Sequence, residues 1–97
     1  MDPDLPDLTI ADVVISTAGR DAGNLFYVLE ADETWLMLAD GKGRTIEKPK
    51  RKKRKHTSKV LRSETRVAEK LRAGDKVLNS ELRRDLAYLS REMQVTT

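Results

Sequence analysis

The 97 residues are 36% charged and only 38% apolar, with no cysteine and a formal net charge of +3. A chain of this size and make-up holds one small domain with a modest core and has no thiolates for disulfides or a sulfur-ligated metal. Its longest apolar runs, residues 25–29 and 35–39, are far shorter than the roughly 20 residues that span a bilayer. These figures exclude a membrane span, a disulfide scaffold and a large-pocket enzyme.

Residues 1–10 carry Pro3, Pro6 and three aspartates and read as a mobile acidic lead-in, of the wrong charge for a signal or transit peptide. The expectation is a soluble cytoplasmic protein. Residues 11–48 read as strands. Asp12–Ser16 is apolar at Val13, Val14 and Ile15 and is followed by a glycine-containing turn. Leu25–Ala31 (LFYVLEA) is rich in aromatic and branched residues, as strands prefer. Asp32 and Glu33 make a short turn, residues 34–40 (TWLMLAD) form a third strand, and Gly41 and Gly43 signal the next turn. Residues 44–48 (RTIEK) then supply a fourth strand. The near-continuous apolar content of residues 25–39 also fits a helix by periodicity alone; the branched and aromatic enrichment favours strands. Phe26 and Tyr27, adjacent in one strand, must face opposite sides, which leaves one of them open to exposure.

Charge is distributed unevenly along this pattern. Residues 1–41 hold nine acids and one base, Arg20; residues 42–62 hold eleven bases and one acid, Glu47; residues 63–97 are nearly balanced. Residues 50–55 are six consecutive lysines and arginines. Such a run repels itself and stays extended unless a polyanion neutralises it. A solvated linker is the plain reading, but the position of the block between two patterned segments favours a polyanion partner. Engaging about six phosphates predicts a log–log salt slope of about −4 to −5.

Beyond residue 60 the period changes. Ser63 can cap a helix over residues 64–73, closed by Gly74, and Asn79 or Ser80 can cap a second over residues 81–93. Leu82, Leu86, Leu89 and Met93 form the apolar stripe of the second helix. The domain plan is therefore a lead-in (1–10), a β unit carrying the basic strand or loop (11–60) and a two-helix segment (61–97).

Catalytic chemistry is hard to find. His56, the lone histidine, sits inside the basic run, away from any serine–histidine–acid arrangement, and there is no residue set for a zinc site. No glycine turn has a phosphate-cradling layout. The expectation is a protein that is not an enzyme, without cofactor, metal or small-molecule substrate.

Residues 13–28 (VVISTAGRDAGNLFYV) resemble a KOW motif: an apolar strand, a turn with glycines four apart at Gly19 and Gly23, and a second apolar strand. The continuation through residues 35–39 to residues 48–56 (KPKRKKRKH) resembles the archaeal and eukaryotic large-subunit ribosomal protein fourteen family. It is most similar to short bacterial KOW domain-containing RNA-binding proteins. The resemblance implies a mainly β fold, a small SH3-like antiparallel barrel followed by a short helical tail, that binds structured RNA, often ribosomal, and associates with the large ribosomal subunit. By position, Gly19 and Gly23 shape the turn and Arg20 reaches for phosphate. Lys48, Lys50, Arg51, Lys52, Lys53, Arg54, Lys55 and His56 supply the basic surface, and Lys42, Arg44, Lys59 and Arg62 extend it. Many KOW motifs carry a third glycine where this chain has Phe26, which points to the ribosomal branch. The alternative is an SH3-like protein-interaction module docking on RNA polymerase or a ribosome-associated protein, motivated by the Leu82–Met93 stripe and the acidic N-terminal third.

Overall fold

A computed structural model describes residues 8–94, in which five strands precede two helices. The strands are β1 (Asp12–Ser16), β2 (Leu25–Ala31), β3 (Trp35–Ala39), β4 (Lys50–Lys53) and β5 (Thr57–Arg62). The helices are α1 (Arg66–Ala73) and α2 (Asn79–Gln94). All pairings are antiparallel, in the order β4-β3-β2-β1-β5. Strands β4 and β5 are thus the two outer strands, yet only a single 3-10 turn, Arg54–His56, joins them. Four strand spacings in a flat sheet separate its edges by about 19 Å. A 3-10 turn rising about 2 Å per residue covers less than half of that. The sheet therefore coils until its two edges approach one another at this corner. Among the described residues no ladder joins β4 to β5.

Coiling gives the sheet two buried faces. Val14, Phe26, Val28, Leu36 and Leu38 point to one side and, with Leu8, form one apolar cluster. Val13, Tyr27 and Ala39, at the alternate positions, point to the other and meet Val67, Ala68, Val77, Leu82, Leu86 and Leu89 of the helical region. A strand covered on both faces has no polar alternation, which is why LFYVLEA and WLMLA look continuous. Phe26 and Tyr27 do face opposite sides, but both are buried, because each side has its own core. The helices are structural partners of the sheet and not an appended tail. The stripe of α2 is consumed there: Leu82, Leu86 and Leu89 are buried and Met93 is half-buried.

The lead-in reading falls mostly on residues 1–7, outside the described residues. Within the remainder, Leu8 is buried, and Asp12 Oδ2 accepts the Thr9 N–H at 2.9 Å, closing a turn into β1.

The fourth strand is displaced from residues 44–48 to the basic tract itself. Residues 44–48 are committed elsewhere: the Ile46 N–H donates to Asn79 Oδ1 at 2.8 Å, and Asn79 Nδ2 donates to Glu47 Oε1 at 2.7 Å. Gly41 lets the segment come this close. Its φ is +78°, and a Cβ there would lie 2.2 Å from the Asn79 carbonyl oxygen at the start of α2.

Thr65, not Ser63, caps α1, its hydroxyl accepting the Ala68 N–H, and Gly74 closes the helix in the left-handed conformation. Ser63 is drawn away by a buried network. The Tyr27 hydroxyl lies 2.8 Å from Ser63 Oγ and donates to Asp85 Oδ2, which also accepts from Thr65 Oγ1. Burial first, and the Asp85 carboxylate second, push the Tyr27 hydroxyl up to about 12. Replacing Thr65→Ala is expected to lower the unfolding free energy by about 1 to 2 kcal/mol. A urea titration checks this, with Glu64→Gln, at an exposed position, leaving the midpoint unchanged.

Candidate nucleic-acid interface

The β1–β2 turn is built first by backbone. Gly19 and Gly23 have φ of +86° and +92°, conformations that glycine adopts without steric cost. The Gly23 N–H bonds the Ser16 carbonyl at 2.8 Å, and the Asn24 N–H bonds the Asp21 carbonyl at 2.9 Å. This leaves Arg20 exposed at the tip and turns Asp21 inward.

Asp21 is the residue that organises the basic tract. Its Oδ1 accepts from Lys52 Nζ at 2.7 Å and from Ser16 Oγ at 2.8 Å, and its Oδ2 lies 2.9 Å from Lys50 Nζ. Lys52 also donates to the Ala18 carbonyl at 2.7 Å, and its side chain is only 7% exposed. Burial alone would raise the Asp21 pKa, but the hydrogen bonds from Lys52, Lys50 and Ser16 outweigh it and hold the carboxyl well below the usual carboxylate range.

The strand period then divides the tract. Lys50 and Lys52 share one face of β4, opposite Leu38 and Leu36, and both ammoniums lie against Asp21, whose single charge offsets one of the two. Arg51 and Lys53 share the other face, opposite Met37 and Trp35. The Arg51 guanidinium lies over the Trp35 ring, 3.9 Å from its centroid, and Lys53 Nζ is 5.5 Å from the same centroid. Arg51 is exposed, and Lys53 and Trp35 are half-buried. Lys55 is exposed in the 3-10 turn. Among the described residues none of Arg51, Lys53 and Lys55 is paired with a carboxylate.

Arg54 and His56 serve the corner mainly through backbone. The Arg54 N–H bonds the Thr34 carbonyl at 2.8 Å, and the His56 carbonyl accepts the Thr17 N–H at 2.9 Å. The Arg54 Nε is buried without a hydrogen-bond partner among the described residues. Arg54, with Leu8, Glu33, Thr34, Lys53, Lys55 and Thr57, lines a groove of about 540 Å³ beside the corner.

The remaining candidates lie apart. Lys42 and Arg44 are exposed in the β3–β4 connection, where their N–H groups donate to Asp40 Oδ1, and Lys48 is exposed further along it. On the opposite outer strand, Lys59 Nζ lies 3.4 Å from the buried Asp12 carboxylate, and Arg62 Nε pairs with Glu64 at 3.3 Å. Of the corner's cations Arg20, Arg51 and Lys55 are exposed, and Lys53 is half-buried. Sequence reasoning missed the Asp21 clamp and the Arg51–Trp35 stack. Reading residues 50–53 as a strand would have exposed the division, because period two sends alternate side chains to opposite faces.

Among the described residues no three histidine or acidic side chains cluster to hold a metal ion, and no helix is long and apolar enough to cross a membrane. No protein-family model matches the chain, and no curated protein matches it at a significant level.

Proposed function

We propose that this protein is an RNA-binding module of the translation apparatus, acting in the cytoplasm, that holds structured RNA, ribosomal RNA foremost, against the β4 corner. The observation that carries the reading is the outward row Arg51, Lys53 and Lys55, three cations without carboxylate partners among the described residues, presented on a rigid strand and turn. Fixed cations at strand spacing neutralise successive phosphates and release counterions. The strand order, with a 3-10 turn joining the outer strands, supports an SH3-like barrel of the KOW kind, and the glycine turn presenting Arg20 fits the same reading.

The protein-interaction alternative loses one of its two motives, since Leu82, Leu86 and Leu89 of the α2 stripe are buried on the sheet, and keeps only the acidic N-terminal third. No observation favours it further.

With Lys50 and Lys52 committed to Asp21, about four phosphates are within the reach of Arg20, Arg51, Lys53 and Lys55. Binding of ribosomal RNA is then expected to follow a log–log salt slope of about −3 to −4, shallower than the six-phosphate expectation. The decisive experiment is sedimentation of native extract through a gradient. Co-migration with the large subunit that survives moderate salt and is abolished by nuclease supports the reading. Retention on a protein partner after nuclease treatment overturns it.

A further inference from the structure

Phosphate neutralisation explains affinity but leaves unexplained why an exposed guanidinium is set over the only tryptophan of the chain. Arg51 lies 3.9 Å from the Trp35 centroid, and Lys53 flanks the same ring. The stack is fixed by register: Trp35 pairs with Lys53 and Met37 with Arg51, so all four side chains share one sheet face. That face is not covered by the helices here, since Trp35 and Met37 remain half-buried while Ala39, further along β3, is fully buried in the helix-facing core. In the β2–β3 turn Asp32 Oδ1 accepts the N–H groups of Trp35 and Thr34 at 2.6 and 2.8 Å, and these bonds, with the charges of Arg51 and Arg54, hold its carboxyl below the usual carboxylate range.

From this geometry we infer that Arg51 on Trp35 is a stacking site for one unpaired RNA base. The inference rests on the RNA reading and deepens it from a charge surface to a nucleotide site. A guanidinium is planar and weakly hydrated and has two faces. With one face on the indole, the other offers a base a flat, cationic partner already held in place. Bases inside a duplex have both faces stacked on neighbours, and the deep major groove of A-form RNA closes their edges to side chains. Only a bulged, looped or terminal nucleotide can reach this platform. Lys53 and Lys55 then stand where phosphates flanking such a nucleotide need compensation. The target class is accordingly structured RNA that carries an unpaired nucleotide, not uninterrupted duplex.

The single tryptophan makes the test direct. Two RNA hairpins, each closed by a non-nucleotide polyether linker in place of a loop, one with a single bulged adenosine and one fully paired, are titrated while Trp35 fluorescence and affinity are followed. The bulged hairpin is expected to bind roughly tenfold tighter and to change the Trp35 emission, as base–aromatic stacking of ordinary strength requires. Arg51→Lys keeps the charge and loses the plane; it is expected to remove the preference while the salt slope with the paired hairpin stays the same. Trp35→Phe, checked for folding by circular dichroism, should weaken the preference in parallel. Equal binding of the two hairpins, or an Arg51→Lys variant that keeps the preference, overturns the stacking site and leaves the RNA reading standing. Binding of neither hairpin, nor of ribosomal RNA, overturns both.

Discussion

Glutamine at Arg51, Lys53 and Lys55 together is expected to lower RNA affinity about 100-fold near physiological salt and to flatten the log–log salt slope by about two to three. The argument is one of position. Each cation that reaches a phosphate releases about 0.9 of a counterion from a B-form duplex and about 0.7 from a single strand, so three lost contacts remove a predictable part of the slope. The variant should remain folded, since none of the three forms an ion pair among the described residues. The cation–π contact on Trp35 is worth no more than about 1 kcal/mol at such an exposed site. Neutralising Lys50 instead should leave RNA affinity nearly unchanged, because its ammonium is held 2.9 Å from Asp21. Equal losses of affinity at Lys50 and at Lys53 would mean that the clamp opens when RNA binds. Filter binding across a salt series, with thermal unfolding of each variant alongside, separates these outcomes.

Much of the fold could be read from the chain, and the failures have physical causes. Strands β1 and β2 coincide with the apolar runs that define them, and Gly74 ends α1 where a left-handed cap is needed. The fourth strand could not be found from apolar content, because β4 is made of lysine and arginine and owes its place to pairing with β3 and to the carboxylate of Asp21, 31 residues before Lys52 in the sequence. Residues 44–48 have better strand composition, but Asn79 takes their backbone and side-chain polar groups for the start of α2. Tertiary demand outweighed local preference at both places. The candidate site was legible as a charge density and illegible as a geometry. A run of like charges says nothing about which side chains a distant aspartate will claim. Trp35 illustrates the same limit: its apolar bulk suited a core or rim position, and the cations opposite it across the β3–β4 ladder set its actual surroundings.

The clamp itself carries the second large effect. Asp21→Asn is expected to lower the unfolding free energy by about 3 kcal/mol, since removing one partner of a buried pair leaves the other charge uncompensated. The Lys52 side chain is 7% exposed and that of Asp21 14%, so water cannot easily replace the lost carboxylate. Lys52 would keep only neutral acceptors, the Ala18 carbonyl and the amide oxygen of the new side chain. Lys50→Gln should cost less, about 1 kcal/mol, because its side chain is 26% exposed and its ammonium can be hydrated. If the loss in Asp21→Asn comes from a stranded charge, Lys52→Met in the same chain should restore much of it, because an apolar side chain of similar length needs no partner. Acid provides an independent check. The folded-state pKa of Asp21 is depressed, so its contribution is fully present above the ordinary carboxylate range and is lost as pH falls through and below about 4. Urea midpoints of the wild-type protein and Asp21→Asn should therefore differ most near neutral pH and draw steadily together as pH falls below about 4. A constant gap across that range would show that the aspartate acts through the shape of the turn and not through its charge.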